Sequence, residues 1–124
     1  MKILLDTSAA IELLDGSKRG EKVLESIEAA DAVFTTVLNV FEVRYVLEDL
    51  YGQQKAELLS AKFIEKAKIA EISVQACLQA AELKLSRRSL SAVDCNSYAA
   101  ALAHGFTFIT TDSGFKGMKG TILL

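Results

Sequence analysis

Lys2-Ile3-Leu4-Leu5-Asp6-Thr7-Ser8 begins the chain, and Phe106-Thr107-Phe108-Ile109-Thr110-Thr111-Asp112-Ser113-Gly114 repeats its plan far downstream. Each is a short apolar run closed by an aspartate set among hydroxyl side chains. Apolar runs of this length, bounded by turn-forming residues, read as buried strands. An acid at the end of such a strand loses solvation and needs a cation, hydrogen bonds or a proton in compensation. In an open α/β sheet, ligands bind at the carboxyl ends of the strands, which is where Asp6 and Asp112 fall.

Working outward from these runs, Ser8 is a fair N-cap for a helix over about residues 9–14, with Gly16 as its stop. Ser17 caps a second helix carrying Val23, Leu24, Ile27 and Ala30 at helical spacing. Residues 32–35 suit a strand, Thr36 opens an apolar helix over 37–51 ended by Gly52, and 53–67 form a more polar helix. Lys68-Ile69-Ala70-Glu71-Ile72 alternates like a third strand. Ser73 and Ser91 cap helices over 74–87 and up to His104-Gly105, 106–110 is a fourth strand, and 121–124 add an edge strand. Strands alternating with helices predict a mostly parallel sheet of four to five strands covered on both faces, a three-layer α/β/α arrangement.

A chain of 124 residues that is 51% hydrophobic is the size of one domain with one core, and we expect a single domain over 1–124. Its net charge of −2 would not draw a polyanion to the molecule as a whole, so any nucleic-acid contact must be local. Cys77 and Cys95 lack metal-ligand spacing and read as reduced thiols. The apolar run before Asp6 is too short for a signal peptide and no run approaches a membrane span. The expectation is a soluble cytoplasmic protein without a membrane partner.

Two further acids interrupt helical apolar stretches. Glu42 has Leu38, Tyr45 and Val46 at i−4, i+3 and i+4, the make-up of an inward stripe, and Asn39 at i−3 could hydrogen-bond it. Asp94 closes Ser91-Ala92-Val93-Asp94, a capping-box pattern. Local explanations exist for each acid: a helix-start aspartate at 6, a rim glutamate at 42, a cap at 94 and a turn residue at 112. Four carboxylates with hydroxyl neighbours nevertheless match what Mg²⁺ or Mn²⁺ requires, oxygen ligands with room for water and substrate phosphate. Without the cation, such crowding would raise some of their own pKa values.

The ordered set of Leu-Leu-Asp6-Thr-Ser, Glu42 after Thr35-Thr36, Ser91-x-x-Asp94 followed by Tyr98-Ala-Ala-Ala, and Ile-Thr-Thr-Asp112-x-x-Phe115 resembles a PIN domain. It is most similar to the short VapC-like toxins of prokaryotic toxin–antitoxin pairs, over essentially the whole chain. The resemblance implies a Mg²⁺- or Mn²⁺-dependent endoribonuclease in which activated water attacks the phosphodiester. Asp6, Asp94 and Asp112 would hold the metal, Glu42 would bind it or position the water, and Thr7, Asn39, Thr111 and Ser113 would support them. An RNA substrate, a homodimer and a cognate antitoxin are the implied partners. Some family members carry a further acid near Asp94, where this chain has Asn96 and Ser97, which puts a second metal in question.

Local positive charge comes from Lys18, Arg19 and Lys22, from Lys84, Arg87 and Arg88, and from Lys116 and Lys119, the last pair being favoured for RNA because it follows Asp112 closely. The helix over 37–51 spreads Val40, Phe41, Val43, Val46, Leu47, Leu50 and Tyr51 around its circumference, more than one small sheet can cover. A haloacid-dehalogenase phosphatase would need an aspartate where Ser8 stands, and the acid pattern of a receiver domain is not met. The remaining alternatives are a non-catalytic binding module of the same fold and an RNA-processing nuclease outside toxin–antitoxin systems.

Overall fold

The computed structural model describes all 124 residues, Met1–Leu124. The elements in chain order are β1 (Lys2–Leu5), α1 (Thr7–Asp15), α2 (Lys18–Ala29), β2 (Ala32–Thr35), α3 (Val37–Tyr51), α4 (Gln53–Lys66), β3 (Lys68–Ile69), α5 (Val74–Ser86), α6 (Ala92–His104), β4 (Thr107–Thr110) and β5 (Thr121–Leu123), with one 3-10 turn at Ser113–Phe115 before β5. The five strands form one sheet in the order β3-β2-β1-β4-β5, and every pairing is parallel.

Alternation along the central strands builds two cores. Ile3 and Leu5 of β1 and Ile109 of β4 meet Ala9, Ala10, Val23, Val43, Leu47 and Phe63 from α1 to α4. Leu4 and Phe108, one residue out of step, meet Ala76, Ala80, Tyr98, Ala101 and Phe115 on the α5–α6 side. The sheet grows from β1 to β3 in one direction and returns to β4 in the other. Right-handed crossovers then require the returning helices to lie on the opposite face. That reversal makes the gap between the carboxyl ends of β1 and β4 the topological switch point.

Helix boundaries follow local chemistry. The hydroxyls of Ser17, Thr36, Ser73 and Ser91 each accept a backbone N–H three residues on, and the N-termini at 36 and 91 are complete capping boxes. Gly16 and Gly105 end α1 and α6 in the left-handed region, with φ of 72° and 73°. Gly20 serves packing instead. A Cβ there would sit 2.2 Å from the Glu12 carbonyl oxygen, so α2 crosses the backbone of α1 at a spot where only glycine fits.

Two boundaries differ from expectation. Helix α1 starts at Thr7, with Asp6 in the N-cap position making no cap bond, so Ser8 lies inside the helix and its hydroxyl is used elsewhere. Strand β3 pairs over two residues only, because its partner β2 turns into α3 just after Thr35; one further bond, from Ala70 N–H to the Thr35 carbonyl, ends the ladder. No helix is long and apolar enough to cross a membrane.

Candidate active site

Strand β1 delivers Asp6 into the sheet's carboxyl edge, 1% exposed. Its Oδ2 accepts from Thr110 Oγ1 at 2.8 Å and Ser8 Oγ at 3.2 Å, and these two hydroxyls lie 3.1 Å apart. The same oxygens also brace the β4 edge: Thr111 N–H donates to Ser8 Oγ and Asp112 N–H to Thr110 Oγ1, both at 3.1 Å. One compact network thus locks the ends of β1 and β4 together. The other carboxyl oxygen, Oδ1, is buried and has no partner in the protein. Burial, followed by the negative charge of Asp94, outweighs the hydrogen bonds from Thr110, Thr7 and Ser8 and pushes the Asp6 pKa up to about 7.

Next to Asp6, itself buried and outside the lining, opens a pocket lined by Thr7, Ser8, Glu12, Glu42, Ser91, Asp94, Thr111 and Asp112, with Ile11 and Val46 as its only apolar walls. Glu42 reaches it from the middle of α3, half-buried. Asp94 enters from the first turn of α6, where its Oδ2 accepts Ser91 N–H at 2.8 Å. Asp112 enters beyond β4, where its Oδ1 accepts Gly114 N–H at 2.8 Å. No lysine or arginine lines the pocket, and none of its acids takes part in a salt bridge.

Asp6, Asp94 and Asp112 therefore share a pattern in which one carboxyl oxygen is tied to the chain's own donors and the other has no protein partner. The donor set is all oxygen, uncompensated by any basic side chain, with one orphaned buried carboxyl oxygen. This chemistry fits a hard divalent cation held through single oxygens. The free oxygens do not already converge, since no three His, Cys, Asp or Glu side chains stand close enough to hold an ion between them.

The supporting residues are distributed unevenly. Thr7 and Thr111 line the pocket. Ser113 is exposed and its side chain makes no bond to Asp112, whose carboxylate is held by the Gly114 N–H instead. Asn39 does not bond to Glu42: it faces inward, to Thr7, Thr36 and Ser97. Lys116 and Lys119 are exposed and outside the pocket lining, and the Lys119 carbonyl accepts the Tyr98 hydroxyl. The basic residue tied to the Asp112 loop is Arg87, whose Nη1 lies 3.4 Å from the Gly114 carbonyl.

Sequence reasoning missed Glu12 as part of the site; it placed Ser8 and Thr110 among the hydroxyls able to orient the aspartates, without showing that both would converge on Asp6. Glu12 is held by the Ser17 hydroxyl at the start of α2. Its signal was its position one and a half turns beyond Asp6, on the face of α1 that also carries Ser8.

The PIN domain family model matches residues 3–120. No curated protein matches closely enough to count as a relative. Among solved structures, the chain is similar to a toxin–antitoxin complex from Klebsiella pneumoniae, with 20% identity, a TM-score of 0.75 and coverage of 97% of this chain and 95% of that one. It is similar to VapC20 of Mycobacterium tuberculosis, a sarcin-ricin-loop-cleaving toxin, with 20% identity, a TM-score of 0.74 and coverage of 94% and 95%. It is also similar to VapBC2 from Rickettsia felis bound to promoter DNA, with 14% identity, a TM-score of 0.76 and coverage of 100% and 98%. Identities of this size carry the fold.

Proposed function

The chain belongs to the PIN domain family, and on that premise we propose that it is a Mg²⁺- or Mn²⁺-dependent endoribonuclease, the toxin of a toxin–antitoxin pair. The observation that carries the proposal is the acidic pocket at the β1–β4 switch point, where Asp94 and Asp112 each leave one oxygen free, no basic side chain neutralises them, and Asp6 lies buried next to the lining residues Thr7 and Ser8 with its Oδ1 orphaned. Asp6, Asp94 and Asp112 would hold the cation, and Glu42, which has no hydrogen-bond partner of its own, would bind it or orient the attacking water. A divalent cation bound there supplies charge neutralisation for the phosphoryl oxygens and a water of lowered pKa. The chain's own contribution is placement. Ser8 and Thr110 fix Asp6 by two hydrogen bonds, the α6 cap fixes Asp94, and the turn after β4 fixes Asp112.

RNA phosphates would be drawn by Arg87 beside the Asp112 loop and by the exposed Lys116 and Lys119 that follow that loop in the chain. Two protein partners belong to the same reading. A second copy of the chain would cover the exposed stripe Val37, Phe41 and Tyr45 on α3, in which the two rings stack with centroids 6.4 Å apart. An antitoxin would bring an apolar segment to the groove formed by Leu13, Leu14, Leu24, Ile27 and Leu59, flanked by Lys62 and Lys66. Structures of toxins with antitoxins among the similar folds support the second partner.

The test is cleavage of total cellular RNA by purified protein with Mn²⁺ or Mg²⁺, repeated with EDTA and with Asp6→Asn and Glu42→Gln. Cleavage that needs the metal and is lost in both variants is expected. Cleavage unchanged in both variants assigns the activity elsewhere, and no cleavage together with no Mn²⁺ binding by calorimetry leaves a non-catalytic module of the same fold.

A further inference from the structure

Directly behind the acidic pocket lies a hydrogen-bond hub in which none of the acids takes part. Asn39, fully buried, accepts at Oδ1 from Thr36 N–H at 3.3 Å, Thr36 Oγ1 at 2.6 Å and Ser97 Oγ at 2.7 Å. Its Nδ2 donates to Thr7 Oγ1 at 3.0 Å. A backbone N–H can only donate, so the Thr36 amide fixes which end of the Asn39 side chain is oxygen, and the nitrogen must face Thr7. The hub joins the first residue of α1 to α3 and α6, the helices that carry or follow Asp6, Glu42 and Asp94.

The polarity of that last bond matters for Thr7. A hydroxyl has one proton and two lone pairs, and Thr7 Oγ1 spends a lone pair on Asn39, so its proton points away from the hub. The bond from Asn39 is the only hydrogen bond Thr7 Oγ1 makes, and Thr7 lines the acidic pocket. A pocket without lysine or arginine must find donors for an anionic ligand among its hydroxyls. Of the other lining hydroxyls, Ser8 donates to Asp6, whereas Ser91 Oγ accepts Asp94 N–H in the α6 cap and, like Thr7, keeps its proton; Thr7 alone of these is aimed by a buried side-chain amide.

We propose that Thr7 contacts the substrate, donating its hydroxyl proton in a hydrogen bond to a non-bridging phosphoryl oxygen of RNA, and that Asn39 is the positioning residue that aims it. The substrate half rests on the nuclease reading above; the hub itself does not.

The experiment compares wild type with Thr7→Val, Thr7→Ser, Asn39→Asp and the Thr7→Val/Asn39→Asp double variant. Thr7→Val keeps the side-chain shape and removes only the hydroxyl. Asn39→Asp keeps every acceptor and, above about pH 8 where it is ionised, cannot donate, so Thr7 would turn its proton inward. Single-turnover cleavage of bulk transfer RNA with Mn²⁺ should fall roughly ten- to a hundred-fold in Thr7→Val, the size of one hydrogen bond to a charged acceptor, and recover in Thr7→Ser. Mn²⁺ affinity measured by calorimetry should not change, and the double variant should be no slower than the slower single variant.

Wild-type cleavage by Thr7→Val overturns the proposal, as does a parallel loss of Mn²⁺ binding, or losses that multiply in the double variant. If wild type itself does not cleave, the nuclease reading and the substrate half fall together, and NMR of the metal-free protein decides the hub. Slowly exchanging Asn39 side-chain amide protons that shift in Thr7→Val support it, and freely exchanging ones overturn it.

Discussion

Replacing Asp6 by asparagine should make the metal-free protein more stable while destroying its metal response. In the unfolded chain this carboxyl titrates near its ordinary value of 3.8, whereas burial and the neighbouring Asp94 raise it to about 7 in the fold. Between those two values the unfolded state gives up its proton and the folded state keeps it, so stability falls as pH rises through that window and stays low above about 7. At about 1.4 kcal/mol per tenfold, the full loss is about 4 kcal/mol. Asparagine is neutral and can still accept from Ser8 and Thr110, but its amide nitrogen inherits the position where Oδ1 has no partner, which returns about 1–3 kcal/mol. The net gain is about 1–3 kcal/mol, or roughly 3–10 °C in midpoint for a domain of this size. Scanning calorimetry in EDTA at pH 5 and pH 8 reads it directly. Asp6→Asn should melt above wild type at pH 8 but at or slightly below it at pH 5, where only about 1.6 kcal/mol of the loss has accrued, and Mn²⁺ should raise the wild-type midpoint alone. Equal melting at pH 8, or a margin independent of pH, refutes the argument that Asp6 is held as an unsatisfied acid.

Other residues give independent checks. Gly20→Ala gains about 1 kcal/mol of helix propensity, but its Cβ meets a backbone oxygen at 2.2 Å that cannot step aside without separating α1 from α2, so urea denaturation should show a net loss of about 1–3 kcal/mol. Phe115→Ala removes a fully buried ring that packs on Tyr98 and Phe108 beneath the Asp112 turn; it should cost about 3–5 kcal/mol and weaken Mn²⁺ binding by calorimetry. Phe41→Asp places a charge in the exposed α3 stripe, and sedimentation equilibrium should give a dimer for wild type and a monomer for the variant. Arg87→Glu should weaken binding of a labelled RNA oligonucleotide, more so at low salt, and leave the midpoint within about 2 °C because the side chain is exposed.

What could be read from the chain was whatever local chemistry decides. Ser17, Thr36, Ser73 and Ser91 mark helix starts because the bond they make closes within three residues. Short apolar runs alternating with helices gave the sheet its two covered faces. The acids were legible as interruptions of apolar patterns. What could not be read depends on partners distant in sequence: Ser8 and Thr110 meet across 102 residues, and Asn39 finds Ser97 across 58. Local spacing pointed Asn39 at Glu42 and Ser8 at a helix cap. In both cases a tertiary partner competed with the local one and won, since a buried hydroxyl or amide must be satisfied from whatever surrounds it.

The same distinction bears on the two acids with the strongest local explanations. Asp94 is a capping-box residue and Asp112 is a turn residue, and on sequence alone each such role competes with a role in the site. In the fold the roles use different atoms. The cap occupies Oδ2 of Asp94 and the turn occupies Oδ1 of Asp112, leaving the second oxygen of each without a protein partner in a pocket whose lining holds no cation. A carboxylate accepts through both oxygens, so the backbone bond fixes the direction of the group without using up its charge. The local motif is then the device that aims the acid: Ser91→Ala keeps the backbone N–H that holds Asp94 Oδ2 but removes the hydroxyl that accepts Asp94 N–H, so it should fray α6 and weaken Mn²⁺ binding only as far as the loosened first turn lets the carboxylate move.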